Sequence, residues 1–227
     1  MATDVRISDD ADALADLAAA TIARWLRDAD APVTLGLAGG GTPRATYHRL
    51  RDEPVPWERV SAWMSDERWV PPDHEERNGL MVQKALLDQV SATFVDVPWL
   101  PDDPARAAAE YNRTLTALFD AGPPTVTLLG MGDDGHTASL FPGTEALLEE
   151  EALFVPNWVA SKESWRLTAT VPLLAASEHL AFLVSGQAKA GVLAEIMRGD
   201  SGLPAEVVAS AAKDVTWFLD AAAASQL

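Results

Sequence analysis

The stretch Leu128-Leu-Gly-Met-Gly-Asp-Asp-Gly-His-Thr-Ala-Ser-Leu-Phe-Pro142 decides the reading of this chain. An apolar run ends in glycines, and two carboxylates and a histidine follow at once. A buried strand delivers a titratable group to the rim of a sheet in this way. With residues 125–129 as the strand, Asp134 and His136 lie beyond its carboxyl end, where open parallel sheets bind ligands. Histidine is the side chain most easily poised for proton transfer near neutral pH, so His136 is the first candidate for a general base. Asp134 is placed to orient it or balance its charge, and Gly135 permits a sharp backbone path.

The same pattern recurs on both sides of this stretch. Residues 33–38 read as a strand broken by Gly39-Gly-Gly41. Thr42 then serves as a cap and Pro43 as a first-turn residue for a helix over 43–52. A strand over 60–64 ends at Ser65-Asp-Glu-Arg68, which is either a charged surface turn or a substrate-orienting group built on Asp66 and Arg68. Strands are also expected at 179–184 and 215–219, and short extended segments at 152–155 and 165–170. Helices are expected at 9–28, 78–89, 104–120 and 187–198, with a helical turn opened by Pro172. On this reading about thirty residues precede the first strand. Strands alternating with helices imply βαβ units, an α/β fold and a mostly parallel sheet in one domain spanning 1–227. The segments 39–42, 66–68, 134–136 and 186–189 all follow strands, so their polar residues converge on one edge.

The composition narrows the class of partner. The chain has 227 residues, 17 basic and 34 acidic, for a net charge of −17. Such a balance opposes binding to nucleic acid or to an anionic membrane, because phosphate backbones demand positive charge. A small anion is still admissible where a local basic cluster reverses the sign, since distant charges are screened. No apolar run approaches the roughly 20 residues of a membrane span. The N-terminal residues lack the basic start and apolar run of a signal peptide, so a cytoplasmic protein is expected; it is also expected to be a monomer. There are no cysteines, which removes disulfides and thiolate chemistry.

Each candidate competes with a plainer role. Gly39, Gly40, Gly41 and Thr42 could cradle an anion at a helix N-terminus or simply make a tight turn. Arg166 and Lys189 are candidate phosphate clamps, although a single Arg or Lys is usually a solvated surface residue. Lys189 falls in the first turn after Gly186, near a helix start. The four histidines show no metal-binding spacing, so no metal or other cofactor is expected. Ser139 lacks the G-x-S-x-G elbow of a nucleophile. His48 and His179 read as structural and His74 as a surface residue. The eight tryptophans read mostly as core or interface residues.

Five motifs together resemble the 6-phosphogluconolactonase family over nearly the whole chain. They are residues 37–43, the Ser65–Pro71 segment with His74 and Asn78, residues 130–142, Arg166-Leu-Thr, and Ser185-Gly-Gln-Ala-Lys189. The resemblance implies a Rossmann-like three-layer fold shared with glucosamine-6-phosphate deaminases and ribose-5-phosphate isomerases. It implies hydrolysis of 6-phospho-D-glucono-1,5-lactone, with His136 activating water. The phosphate would be held by the glycine loop, Arg166 and Lys189. Two positions depart from the family pattern: Gly41 and Arg77 stand where serine is common. In the related deaminases a glutamate follows the D-G-H loop, and Phe141 holds that place here. An aromatic ring cannot transfer a proton, which favours hydrolysis. A sugar-phosphate sensor of similar fold would need a DNA-binding segment, which an acidic chain with so little before its first strand does not provide.

Overall fold

A computed structural model describes residues 2–30 and 32–227; Met1 and Ala31 lie outside the described residues. Seven strands form one sheet in which every pairing is parallel: β1 (Ala2–Ser8), β2 (Val33–Leu37), β3 (Val60–Met64), β5 (Thr93–Val95), β6 (Val126–Leu129), β9 (His179–Val184) and β10 (Asp214–Asp220). Their order is β1-β10-β9-β6-β2-β3-β5. Three further strands, β4 (Asp66–Arg68), β7 (Phe154–Val159) and β8 (Ser164–Ala169), form a small antiparallel sheet in the order β4-β8-β7. Helices α1 (Ala11–Asp28), α2 (Gly41–Leu50), α3 (Asn78–Ala85), α4 (Pro104–Leu118), α5 (Val171–Ala175), α6 (Ala190–Arg198) and α7 (Pro204–Ala211) flank this framework.

The local chemistry explains the elements. The α1 helix buries Leu14, Ala18, Ile22 and Leu26 at helical spacing, and the Asp10 side chain caps it by accepting from Ala13 N at 2.8 Å. The α4 helix repeats the device with Asp103, followed by Pro104 in the first turn. The central strands β2 and β6 are buried along their whole length, as strands covered on both faces must be. Phe182 and Trp217 stack at 4.0 Å between β9 and β10 in the middle of the core.

The topology positions the site. From β2 the chain runs outward through β3 to β5, then returns to the other side of β2 with β6 and continues to β9 and β10. The β2/β6 boundary is therefore a switch point, where the connections leaving neighbouring strands diverge and open a crevice.

Several expectations are corrected. The first strand is β1, not β2, so the segment before β2 belongs to the sheet. It escapes the eye because Asp4 and Arg6 interrupt it, and Val5 and Ile7 are exposed on this edge strand. The three-residue β5 and the helix α7 also lacked a readable pattern. Thr42 does not cap α2: Gly40 holds the cap position, and the Thr42 hydroxyl instead meets Ser185 Oγ at 2.7 Å. Residues 66–68 are no surface turn but strand β4, with Asp66 and Glu67 buried. The helix expected at 187–198 starts as a tight turn and becomes α-helical at Ala190. The two extended segments at 152–155 and 165–170 are one hairpin, β7–β8. Trp57, Trp63 and Trp217 are buried, whereas Trp158 and Trp165 lie side by side on the exposed face of that hairpin.

Candidate active site

A cavity of about 500 Å³ opens at the carboxyl ends of β2, β6 and β9. Gly39, Gly40, Gly41, Thr42, Asp66, Arg68, His136, Arg166 and Lys189 all line it. Asp134 is exposed and lies outside the lining, bonded to His136. A second cavity of about 560 Å³ lies at the amino ends of the strands, but its charged groups include Asp28, Asp30 and Glu178. That lining repels the anion for which the first cavity is suited.

The glycine loop forms one wall. Gly39 leaves no room for a side chain, because a Cβ there would sit 2.1 Å from Asn78 Oδ1. Tyr47 fastens the loop to α2: its hydroxyl accepts from Ala38 N at 2.8 Å and donates to Ala38 O at 2.9 Å. Helix α2 begins at Gly41, so its first N–H groups lack helical acceptors and supply positive potential at the cavity.

The loop after β6 presents His136. Gly132 N donates to His136 O at 2.8 Å and closes the turn. A Cβ on Gly132 would lie 2.0 Å from His136 Nδ1, so only glycine lets the imidazole settle here. The ring stacks on Phe141 at 4.1 Å, and its Nδ1 lies 2.5 Å from Asp134 Oδ1. Partial burial works against the Asp134 charge, but the backbone N–H and imidazole of His136 outweigh it and hold the carboxyl below its usual range. An ionised Asp134 only accepts, so the Nδ1 atom carries the proton and Nε2 is left as the basic nitrogen.

The small sheet contributes the charges. Arg68 and Arg166 are register partners on β4 and β8. Arg166 is half-buried, its Nε has no hydrogen-bond partner, and burial lowers the guanidinium's pKa. Among the described residues no carboxylate oxygen comes within 4.0 Å of a side-chain nitrogen of Arg68, Arg166, Lys162 or Lys189. None of them is ion-paired, and only Arg68 is held by a protein group, donating from Nη1 to Glu76 O at 3.2 Å, so they can meet an outside anion in a chain of net charge −17. Lys189 sits in the cap position of α6, where an anion is already favoured. Asp66 accepts from Ser139 Oγ at 2.7 Å and Asn78 Nδ2 at 3.3 Å. Burial pushes its carboxyl above the usual range, although Ser139, Arg166, Arg68 and His136 all pull it down.

The family model for glucosamine-6-phosphate isomerases/6-phosphogluconolactonase matches residues 9–217. The chain belongs to this family. A 6-phosphogluconolactonase of Nostoc sp. is 37% identical over 206 residues, covering 86% of this chain and 84% of that protein. That of Rattus norvegicus is 35% identical over 94% of this chain and 88% of its own length. The solved structure of the Trypanosoma brucei 6-phosphogluconolactonase superposes with a TM-score of 0.89 at 26% identity, covering 100% of this chain and 99% of that one. A monomeric glucosamine-6-phosphate deaminase shares the fold at a TM-score of 0.85 and 21% identity.

The two departures from the glucosamine-6-phosphate isomerase/6-phosphogluconolactonase pattern have different meanings. A Cβ on Gly41 would meet nothing within 4 Å, so its lack of a side chain is not enforced by packing. Arg77 is buried against Glu67 at 3.7 Å and Asp96 at 3.1 Å, and it donates to Val97 O at 2.6 Å. It ties α3 to the segment after β5 and lies outside the cavity lining.

Sequence reasoning passed over Ser139, Phe141, Lys162 and Glu76 as lining residues. Ser139 and Phe141 stood in the quoted motif beside His136. Lys162 gave no signal, because the β7–β8 turn that carries it reaches the cavity only through the long-range pairing of β8 with β4. His179 is structural, as expected: it stacks on Trp25 at 4.6 Å and its Nδ1 lies 3.0 Å from Asp214 Oδ2.

Proposed function

We propose that this chain hydrolyses 6-phospho-D-glucono-1,5-lactone to 6-phospho-D-gluconate, the lactonase step of the oxidative pentose phosphate pathway. The observation that carries the reading is the meeting of an Asp134-oriented imidazole with unpaired cations in one cavity. Family membership supports it, as do relatives named 6-phosphogluconolactonase over most of their length. In this reading one α/β domain supplies the whole site of a cytoplasmic, monomeric enzyme.

Arg166 and Lys189 hold the phosphate, together with the glycine loop and Thr42. Asp66 and Arg68 position the sugar hydroxyls or the lactone group. His136 Nε2 takes a proton from water as its oxygen attacks C1. The tetrahedral oxyanion is stabilised by the positive groups and backbone N–H donors around it. The intermediate collapses with cleavage of the bond from C1 to the ring oxygen. The imidazolium returns the proton to that oxygen, leaving a hydroxyl and a carboxylic acid that ionises. General acid–base assistance of this kind is worth about 10²–10⁴-fold. The path uses no metal and no covalent intermediate.

Purified protein given fresh lactone should release acid well above the spontaneous rate, equally with and without a chelator. No excess over the spontaneous rate, with or without added metal ions, would overturn the assignment. Turnover of glucosamine 6-phosphate in place of the lactone would move the chain to the deaminase branch.

A further inference from the structure

Resting on that reading, we propose that Ser139 is a positioning residue: with Asn78 it clamps the Asp66 carboxyl in one orientation at the cavity wall. Each oxygen of Asp66 has its own donor, Ser139 Oγ at 2.7 Å on Oδ2 and Asn78 Nδ2 at 3.3 Å on Oδ1. Ser139 is only 2% exposed and cannot swing away. Its N donates to Thr168 Oγ1 at 3.1 Å, and its carbonyl accepts from Asn157 Nδ2 at 2.9 Å. Three strands of the small sheet therefore meet at this serine: β4 through Asp66, β7 through Asn157 and β8 through Thr168.

The geometry separates this role from nucleophilic catalysis. A nucleophilic serine needs a base to take its proton, and Ser139 Oγ makes no hydrogen bond with His136, whose Nε2 is the basic nitrogen of this site. The Ser139 hydroxyl points its proton at a carboxylate instead. Donors to a carboxylate favour its charged form. The other groups acting on Asp66 are Arg68 on its own strand, Arg166 on β8, His136 after β6 and the Tyr47 hydroxyl on α2. The two arginines and the imidazole favour the charge, and Tyr47, whose pKa burial raises, stays neutral beside it. Burial opposes the charge throughout, so losing one short donor has a large effect. Without Ser139 the carboxyl holds its proton to higher pH, and one of its oxygens then presents a donor where the carboxylate accepts from the substrate.

The test is the pH profile of kcat/KM for the phosphorylated lactone in wild type, Ser139→Ala and Ser139→Cys, each checked for fold by circular dichroism. The acid side of that profile reports both the His136 base and Asp66, and the step that belongs to Asp66 should move up in Ser139→Ala by about one pH unit, a roughly tenfold loss below it. Ser139→Cys keeps a weak donor and should fall between the two. Inhibition by inorganic phosphate, which reports the Arg166 and Lys189 end, should stay within about twofold. An unmoved step in Ser139→Ala, or a loss equal at every pH, overturns the positioning role. If Ser139→Ala does not fold, a wild-type profile in Ser139→Cys overturns it. A wild type that does not hydrolyse the lactone sinks the underlying reading as well, which distinguishes the two failures.

Discussion

His136 Nδ1 lies 2.5 Å from Asp134 Oδ1, and the same carboxylate oxygen accepts the His136 backbone N–H at 3.1 Å. One side chain thus fixes both the ring and the backbone that carries it. The arrangement sets the tautomer and leaves Nε2 as the basic nitrogen. His136→Ala should therefore lose about 10²–10⁴-fold in kcat while keeping its affinity for 6-phosphogluconate within a few-fold. Asp134→Asn should also lower kcat, because an amide can present a donor to Nδ1 and favour the wrong tautomer. Single-turnover rates beside calorimetric binding would decide it. Near-normal turnover in His136→Ala would remove the imidazole from the base role.

Arg166 and Lys189 come from different segments, β8 and the start of α6, yet both line the cavity without a carboxylate partner. A charge-assisted bond to phosphate contributes about 1.5–3 kcal/mol, or roughly ten- to a hundredfold in selectivity. Each alanine variant should lose that factor for the phosphorylated lactone. Activity on glucono-1,5-lactone, which has no phosphate, should change little. The measurement is the ratio of kcat/KM for the two lactones. A ratio unchanged in both variants would place the phosphate elsewhere.

Neighbouring glycines should respond in opposite ways. A methyl at Gly39 would lie 2.1 Å from Asn78 Oδ1, whereas one at Gly41 would meet nothing within 4 Å. Gly39→Ala must displace Asn78, and with it a donor to Asp66. It should cost about 1–3 kcal/mol of stability and at least about tenfold in kcat/KM. Gly41→Ser should keep stability within about 0.5 kcal/mol and add a hydroxyl to the phosphate wall. Thermal melts and rates for both variants give the comparison; a tolerated Gly39→Ala would refute the packing argument.

The five strands expected from the sequence are the five central ones, β10, β9, β6, β2 and β3. Their apolar runs are legible because both faces are covered. The edges were not: β1 carries Asp4 and Arg6, and β5 has three residues. The site was legible where a residue directly follows a central strand, as at Gly39, Asp66 and His136. Glu67 was not, because a carboxylate between an aspartate and an arginine reads as surface. Its partners are Arg77 and the first N–H groups of α3, ten to twelve residues on, folding back against it. Lys162 escaped for the same reason, since its place depends on how β8 pairs with the distant β4.

Glu67 also makes the stability of the fold depend on pH. It is fully buried and accepts from the N–H groups of Arg68, Asn78 and Gly79, with the Arg77 guanidinium 3.7 Å away. Burial outweighs these partners and pushes its carboxyl from an ordinary 4.5 up to about 7. Between those values the folded chain holds a proton that the unfolded chain has released. Stability then falls as pH rises, because protonation favours the folded state. The contribution is complete below pH 4.5 and lost above about pH 7, and its full size is roughly 3 kcal/mol. Glu67→Gln cannot titrate. It should start from a lower stability, since one amide oxygen cannot serve three N–H groups, but its stability should fall less between pH 5 and 7 than that of the wild type. Urea unfolding at pH 5, 6, 7 and 8 measures both slopes. A variant slope equal to the wild-type slope would mean that Glu67 is ionised throughout and that Arg77 and the backbone donors outweigh its burial.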